Sequence, residues 1–327
     1  MKTSILSSVL LTCLFAQCLI AQNYPKTEIS NKLIHAVVML PNAEHGSYQG
    51  TRFDWSGIIS SLQYAGHNYV AQWHNPNSPK INDAVTGPAE EFLTSLGYDQ
   101  AKPGGTFVRI GVGILRKPNE TAYQRFKTYD IVQPGQWIIR KGKNWIRFTQ
   151  KLTSQDGYAY VYQKTLRLEK GKPELIIEHS LKNTGQKTIE TDEYSHNFFV
   201  IDHEVVGPDV VIRFSFVPKP TSKLQNGAEI HGKTITFTRD LQKKEFVFTE
   251  LDGFGNGLRG FNIRIENRKS GAGVRISGSR PLTKVVFWSI RTVACPETYV
   301  HLDIHPGEET HWKTRFDFYT ITPLHDN

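Results

Sequence analysis

From Thr106 to its end this chain is a succession of short runs rich in β-branched and aromatic residues, cut by Gly, Asn, Asp and Pro, and almost nowhere does a 3.6-residue apolar period persist. That pattern points to sheets rather than a helical bundle. Lys164-Thr165-Leu166-Arg167-Leu168-Glu169 and Leu175-Ile176-Ile177-Glu178-His179-Ser180-Leu181 alternate in character, as half-buried antiparallel strands do. Strands are expected over 107–114, 123–133, 136–140, 145–152, 158–168 and 173–181, and at similar spacing from 210 to 320. Upstream, 58–64 and 68–72 form a hairpin around Ala65-Gly66-His67. The stretch 73–105 is irregular, with one helical hint at Ala89-Glu90-Glu91-Phe92-Leu93 after Pro88. So long a stretch, holding aromatics and acids, is expected to be functional. No linker divides the strands, so the fold class is all-β: one sandwich of antiparallel sheets spanning 22–327.

The first 21 residues carry one positive charge at Lys2, no acid, an apolar run through Val9-Leu10-Leu11 to Leu14-Phe15, and Ala21 as a small residue at the cut. They read as a secretory signal peptide, which predicts a periplasmic or secreted product. Cys18 invites a lipoprotein reading, which the bulk of Gln17 before it disfavours. Cys13 and Cys18 leave with the leader, so Cys295 remains alone and no internal disulfide can form. No later run approaches the roughly 20 apolar residues of a membrane span. Loss of Lys2 lowers the net charge from +8 to +7. That balance suits a neutral or acidic glycan and equally no particular partner. Clustered basic blocks and a recognition-helix pattern are missing, so nucleic acid is not an expected partner.

One stretch places a titratable imidazole inside a strand-forming run: Glu193-Tyr194-Ser195-His196-Asn197-Phe198-Phe199-Val200-Ile201-Asp202. On a strand, Tyr194, His196, Phe198 and Val200 share one face and Ser195, Asn197, Phe199 and Ile201 the other. His196 then lies between two rings, either as a core histidine with a satisfied hydrogen bond or as an acid or base working near neutral pH. Glu297 reads as an exposed loop acid or a catalytic one. Arg109, flanked by Val108 and Ile110, is either a solvated charge or a clamp for a carboxylate or sulfate. Glu90 and Glu91 suit the first turn of a short helix or a sugar site. No histidine pair shows metal-ligand spacing; His301 and His305 enclose Asp303-Ile304 and precede Pro306, which is strand and turn. Cys295 reads as packing.

Val285-Val286-Phe287-Trp288-Ser289-Ile290, Cys295-Pro296-Glu297-Thr298-Tyr299, His305-Pro306-Gly307-Glu308-Glu309 and Phe316-Asp317-Phe318-Tyr319 follow Ser195-His196-Asn197-Phe198-Phe199 in an order that resembles the aldose 1-epimerase, or galactose mutarotase-like, superfamily. Arg52-Phe53-Asp54-Trp55-Ser56-Gly57-Ile58-Ile59-Ser60-Ser61-Leu62, ending in Gly66-His67, resembles that family's opening hairpin. The resemblance implies a β-supersandwich that binds a mono- or oligosaccharide on a concave face, without a cofactor. It makes Glu297 the general base and His196 the general acid. Interconverting anomers removes a proton from the anomeric hydroxyl and delivers one to the ring oxygen, so one group must be anionic and the other protonated. The family's earlier His-Gly segment is missing, since no histidine lies between His74 and His179. Glu90, Glu91 and Arg109 are expected to fill that position, with Tyr194 and Asn197 beside His196 completing the sugar contacts. Three readings follow: an epimerase-like enzyme, a lyase in which His196 or Tyr194 takes a proton beside a uronate that Arg109 neutralises, and a glycan-binding module without turnover.

Overall fold

A computed structural model of the chain describes residues 24–119 and 122–322. The expected signal peptide lies outside the described residues. An N-terminal meander contains β1 (Lys26–Ser30), β2 (Ile34–Met39), β3 (Ile59–Tyr64) and β4 (His67–Val70). Then come β5 (Gly87–Phe92), and a small sheet of β6 (Thr106–Arg109), β7 (Gly113–Arg116) and β8 (Ile131–Gln133). Four strands follow: β9 (Gln136–Lys141), β10 (Trp145–Thr153), β11 (Ala159–Leu168) and β12 (Glu174–Asn183). β13 (Ile189–Phe198) crosses to another sheet, and β14 (Val210–Phe214), β15 (Lys219–Pro220), β16 (Ala228–His231), β17 (Thr234–Phe237) and β18 (Phe246–Asp252) follow. The chain closes with β19 (Asn262–Asn267), β20 (Ala272–Gly278), β21 (Lys284–Ile290), β22 (Val293–Ile304) and β23 (Glu309–Thr320).

The two principal sheets are antiparallel throughout. Ten strands run in the order β16-β17-β14-β19-β20-β23-β12-β11-β10-β9, and six in the order β15-β18-β21-β22-β13-β5. Period-two alternation gives the six-stranded sheet two different faces. Val285, Phe287, Val300, Leu302 and Ile304 join Leu166, Ile177, Ile276 and Phe316 of the ten-stranded sheet in the main core. Their neighbours Tyr194, Phe198, Val286, Cys295 and Tyr299 join a second cluster, with Phe53, Trp55, Trp73 and Phe107 from the loops and the small sheet. The split expected for 194–201 is the observed one, with Phe199 and Ile201 in the main core and Phe198 and Val200 in the second. All-β antiparallel architecture is thus the fold, and no described helix is long and apolar enough to cross a membrane.

Three local expectations fail. The single strand expected over 107–114 is a hairpin, β6 ending at Arg109 and β7 starting at Gly113 in antiparallel register. Ala89-Glu90-Glu91-Phe92-Leu93 is not helical: Gly87–Phe92 is β5, a fully buried edge strand paired with β13 from Glu193↔Phe92 to Phe198↔Gly87. Pro88 has no N–H to offer a ladder, and an edge strand is where that is tolerated. A single helical turn could not send adjacent acids to opposite compartments, as the strand does. The expected strand 123–133 is shorter than its sequence suggests. Only Ile131–Gln133 pairs, and the preceding residues form a loop that carries Arg125 and Phe126 toward the six-stranded sheet.

Glu90 points between the two large sheets, where its Oε2 meets Lys164 Nζ at 2.8 Å and His179 Nε2 at 2.7 Å. Lys164 also reaches Asp54 Oδ2 at 3.3 Å and donates to the Ser56 carbonyl at 2.9 Å. Gly57, at φ +74°, lets that loop fold over the lysine; a Cβ there would stand 2.9 Å from Lys164 Cε. Burial pulls the Lys164 ammonium toward neutrality, but Glu90 and Asp54 outweigh it and hold its pKa above the usual lysine range. Glu193, nearby on β13, accepts from Trp312 Nε1 at 3.1 Å, and burial with Glu90 beside it raises its pKa well above the carboxylate range. Removing one partner of a buried ion pair costs about 3–5 kcal/mol, because the other charge stays buried. Lys164→Met should lower the unfolding free energy by about that amount, measured by urea titration. A loss below about 1 kcal/mol would show that the cluster is solvated.

Candidate functional site

Register brings the acid and the imidazole together. β13 and β22 pair from Ile189↔Ile304 to Ser195↔Thr298, and one further step sets His196 opposite Glu297 on the second-cluster face. Directly opposed residues have Cβ atoms about 5 Å apart. His196 Nε2 stands 3.1 Å from Glu297 Oε1. Tyr299, two residues along the same face, donates its hydroxyl to Glu297 Oε2 at 2.8 Å. Phe198 stacks on the imidazole with centroids 3.7 Å apart, Trp73 stacks on Phe198 at 4.7 Å, and Trp288 meets the imidazole edge-on at 5.2 Å. These groups form the floor of a hollow of about 440 Å³.

One wall is cationic. Glu91, on the opposite side of β5 from Glu90, is completely buried and gathers three guanidinium groups: Arg52 Nε at 2.9 Å, Arg109 Nη2 at 3.1 Å and Arg125 Nη2 at 2.8 Å. The Tyr194 hydroxyl donates to the same carboxylate at 2.7 Å and accepts from Arg52 Nη2 at 2.9 Å. Burial alone would raise the Glu91 pKa, but the three arginines outweigh it and bring it down to about 2. Arg52 also pairs with Asp83 at 2.6 Å, and both it and Arg125 line the hollow, Arg125 with a third of its side chain exposed (32%).

These surroundings set the protonation of the pair. Burial, then Arg52 and Arg125, push the His196 pKa well below its usual range. Burial raises Glu297 to about 7, against the Tyr299 hydrogen bond and the same two arginines. The 3.1 Å contact therefore joins an uncharged imidazole to a carboxyl group rather than two opposite charges. Nδ1 of His196 has no hydrogen-bond partner.

Of the expected site residues, His196 and Glu297 line the hollow, and the expected sugar contacts lie behind it. Arg109 is sealed in the interior, bonded to Glu91 and to the carbonyls of Arg52 and Leu93. Tyr194 and Glu91 hold the cationic wall in place from behind. Glu90 faces the other compartment altogether, and Asn197 points away from the hollow, donating to the Pro296 carbonyl at 2.7 Å. Burial of these groups against protein partners leaves a sugar no access to them. In their place the hollow presents Arg52, Arg125, Trp288, Tyr299 and Lys284. Arg52 opens the stretch that resembles the family's first hairpin, and Trp288 and Tyr299 lie within the motifs that carry the resemblance. For Arg125 the sequence holds no signal. No cluster of His, Cys, Asp or Glu able to hold a metal occurs among the described residues. A second concavity, about 510 Å³, lies on the ten-stranded sheet, but its His311–Glu309 pair is open to solvent and 3.6 Å apart, where water screens it.

No family model and no curated protein matches the sequence. Solved structures do match the fold. The aldose epimerase homologue from C. elegans superposes with a TM-score of 0.54 at 13% identity, covering 92% of this chain and 100% of that one. A galactose mutarotase related enzyme from Lactobacillus acidophilus gives 0.53 at 15% identity, over 91% and 98%. A galactose mutarotase-like protein from Lactobacillus casei gives 0.51 at 12%, over 90% and 100%. The chain thus has the galactose mutarotase-like β-sandwich fold, over nearly the whole length of each of these proteins.

A carboxyl group whose folded pKa is raised adds stability that is complete below its unfolded value near 4.5 and is lost as pH rises through about 7. At about 1.4 kcal/mol per unit this amounts to something on the order of 3 kcal/mol. Between pH 5 and pH 8 the stability of wild type relative to Glu297→Gln should therefore fall by roughly that amount, read from urea titrations at both pH values. A difference that does not change with pH would mean that Glu297 titrates as an ordinary surface acid.

Proposed function

We propose that the protein is an exported, carbohydrate-active enzyme that interconverts sugar anomers by proton exchange between Glu297 and His196. The observation that carries this reading is the contact of an acid and an imidazole on the aromatic floor of a sugar-sized hollow, with burial driving their pKa values in opposite directions. Supporting it are the fold shared with aldose epimerase homologues and, for export, the leader-like first 21 residues.

The reaction needs one proton on the pair. The pKa directions put that proton on Glu297, the reverse of the resting assignment implied by the family resemblance. Neutral His196 takes the proton of the anomeric hydroxyl while Glu297 gives its own to the ring oxygen. The bond between anomeric carbon and ring oxygen breaks, and an open-chain aldehyde forms. The pair is then imidazolium and carboxylate, with its total proton count unchanged. Rotation exposes the other aldehyde face, and closure returns both protons by the same steps in reverse. The two sites exchange one proton, so the apparent pKa values belong to the pair rather than to either residue.

A second reading rests on the guanidinium of Arg125 in the same hollow: a lyase acting on a uronate. Arg125 would neutralise the carboxylate, His196 would take the proton beside it, and Glu297 would protonate the leaving oxygen as the double bond forms. Arg109 and Tyr194 have no part in this version, because both are locked to Glu91.

Each member of the pair should contribute about 10²- to 10⁴-fold. Glu297→Gln and His196→Ala should lose that factor in anomer exchange, followed by NMR over a panel of aldoses and uronic acids, and should remain folded. No acceleration by wild type above the uncatalysed rate would overturn the epimerase reading, and ultraviolet absorbance of an unsaturated uronide would establish the lyase. Turnover by the singly protonated pair should also fall as pH rises through about 7 and hold well below pH 6.5 before a second protonation stops it. A rate that climbs above pH 7 would contradict the one-proton scheme.

A further inference from the structure

The described residues include three exposed phenylalanines, and all three stand at the mouth of the hollow: Phe126 (69%), Phe246 (52%) and Phe248 (51%). Phe246 and Phe248 are alternate residues of β18 and share the face that carries Glu297 two strands away. Phe248 pairs across the ladder with Trp288, and Trp288 with Cys295 on the strand of Glu297. Strands in a sheet lie about 4.8 Å apart, so Phe248 is about 10 Å across the sheet from the strand that carries Glu297. A single pyranose seated over His196 and Glu297 covers one strand spacing and reaches Trp288. It leaves both β18 rings bare.

We infer, building on the sugar-site reading above, that the ligand is an oligosaccharide whose terminal ring occupies the hollow and whose next ring lies on the platform of Phe246 and Phe248. A pyranose has a face of C–H groups that fits an aromatic ring, whose face is electron-rich. Its hydroxyls need polar partners at the edge of that contact. Lys284 and Glu250 supply them, as a half-exposed ion pair in the lining of the hollow beside the platform. Continuity favours a glycan over a protein as occupant, because the apolar strip runs unbroken into a polar hollow. A globular partner would cap the opening without filling it.

The test compares monomer, dimer and trimer of two series, glucose with cellobiose and cellotriose, and galacturonic acid with its dimer and trimer, by calorimetric titration of the full-length mature protein. In whichever series binds, the dimer should bind about tenfold tighter than the monomer, the increment expected of one stacked ring. Phe246→Ala with Phe248→Ala should reduce the ratio of dimer to monomer affinity to below about threefold. Equal affinities for monomer and dimer, or a ratio unchanged in the double variant, would overturn the platform and leave the sugar site standing. Binding of neither series at any length would remove the sugar-site reading and the platform with it. A change of oligomeric state in the double variant, seen by sedimentation, would assign the rings to self-association and overturn the inference.

Discussion

The register between β13 and β22 is the constraint on which the site depends. Each ladder step fixes which residues face each other, and a slip of one residue would send His196 or Glu297 into the core between the sheets. That slip is blocked from both sides. Val300, Leu302 and Ile304 fill the core on one face, and Tyr194, Phe198, Cys295 and Tyr299 pack against loops on the other. A non-local contact between an acid and an imidazole far apart in the chain is therefore held by ordinary hydrophobic alternation, without a dedicated clamp.

The electrostatics follow from where charge has been neutralised and where it has not. Glu91 absorbs much of the field of three arginines, and Asp83 absorbs more at Arg52. What remains at the hollow is a modest positive potential, enough to help strip His196 of its proton but not to restore Glu297 to an ordinary carboxylate. Between the sheets the same principle raises the pKa values of both Lys164 and Glu193. Two adjacent residues of one edge strand, Glu90 and Glu91, anchor the two networks on opposite sides, which ties the geometry of the hollow to the cohesion of the sandwich.

Much of the fold was legible in the sequence, because alternation is a local signal. The faces of 194–201, the hairpin at 58–72 and the sheet-forming character of the second half all follow from period two. Partners were not legible. Glu90-Glu91 after Pro88 has the local signature of a helix start, and only the open edge of β13 and the cations on either side convert it to a strand. Arg109 between Val108 and Ile110 reads as a solvated charge or a substrate clamp, and the same pattern also describes a guanidinium turned inward to a buried carboxylate. Arg125 lies in a loop with no periodicity, so nothing in its neighbourhood marks it as part of a wall. The pair itself was suggested by motif resemblance, and the contact between its members belongs to the ladder.

Catalysis here depends on an uncharged imidazole touching a carboxyl group that holds its proton to neutral pH. The most direct test is an NMR titration with ¹³C-labelled glutamate and ¹⁵N-labelled histidine, following the side-chain carboxyl of Glu297 and both ring nitrogens of His196. The expected result is a Glu297 transition near pH 7 and a His196 ring that stays neutral well below its usual range. A histidine protonating near 6.5 beside a carboxylate titrating near 4.5 would contradict it.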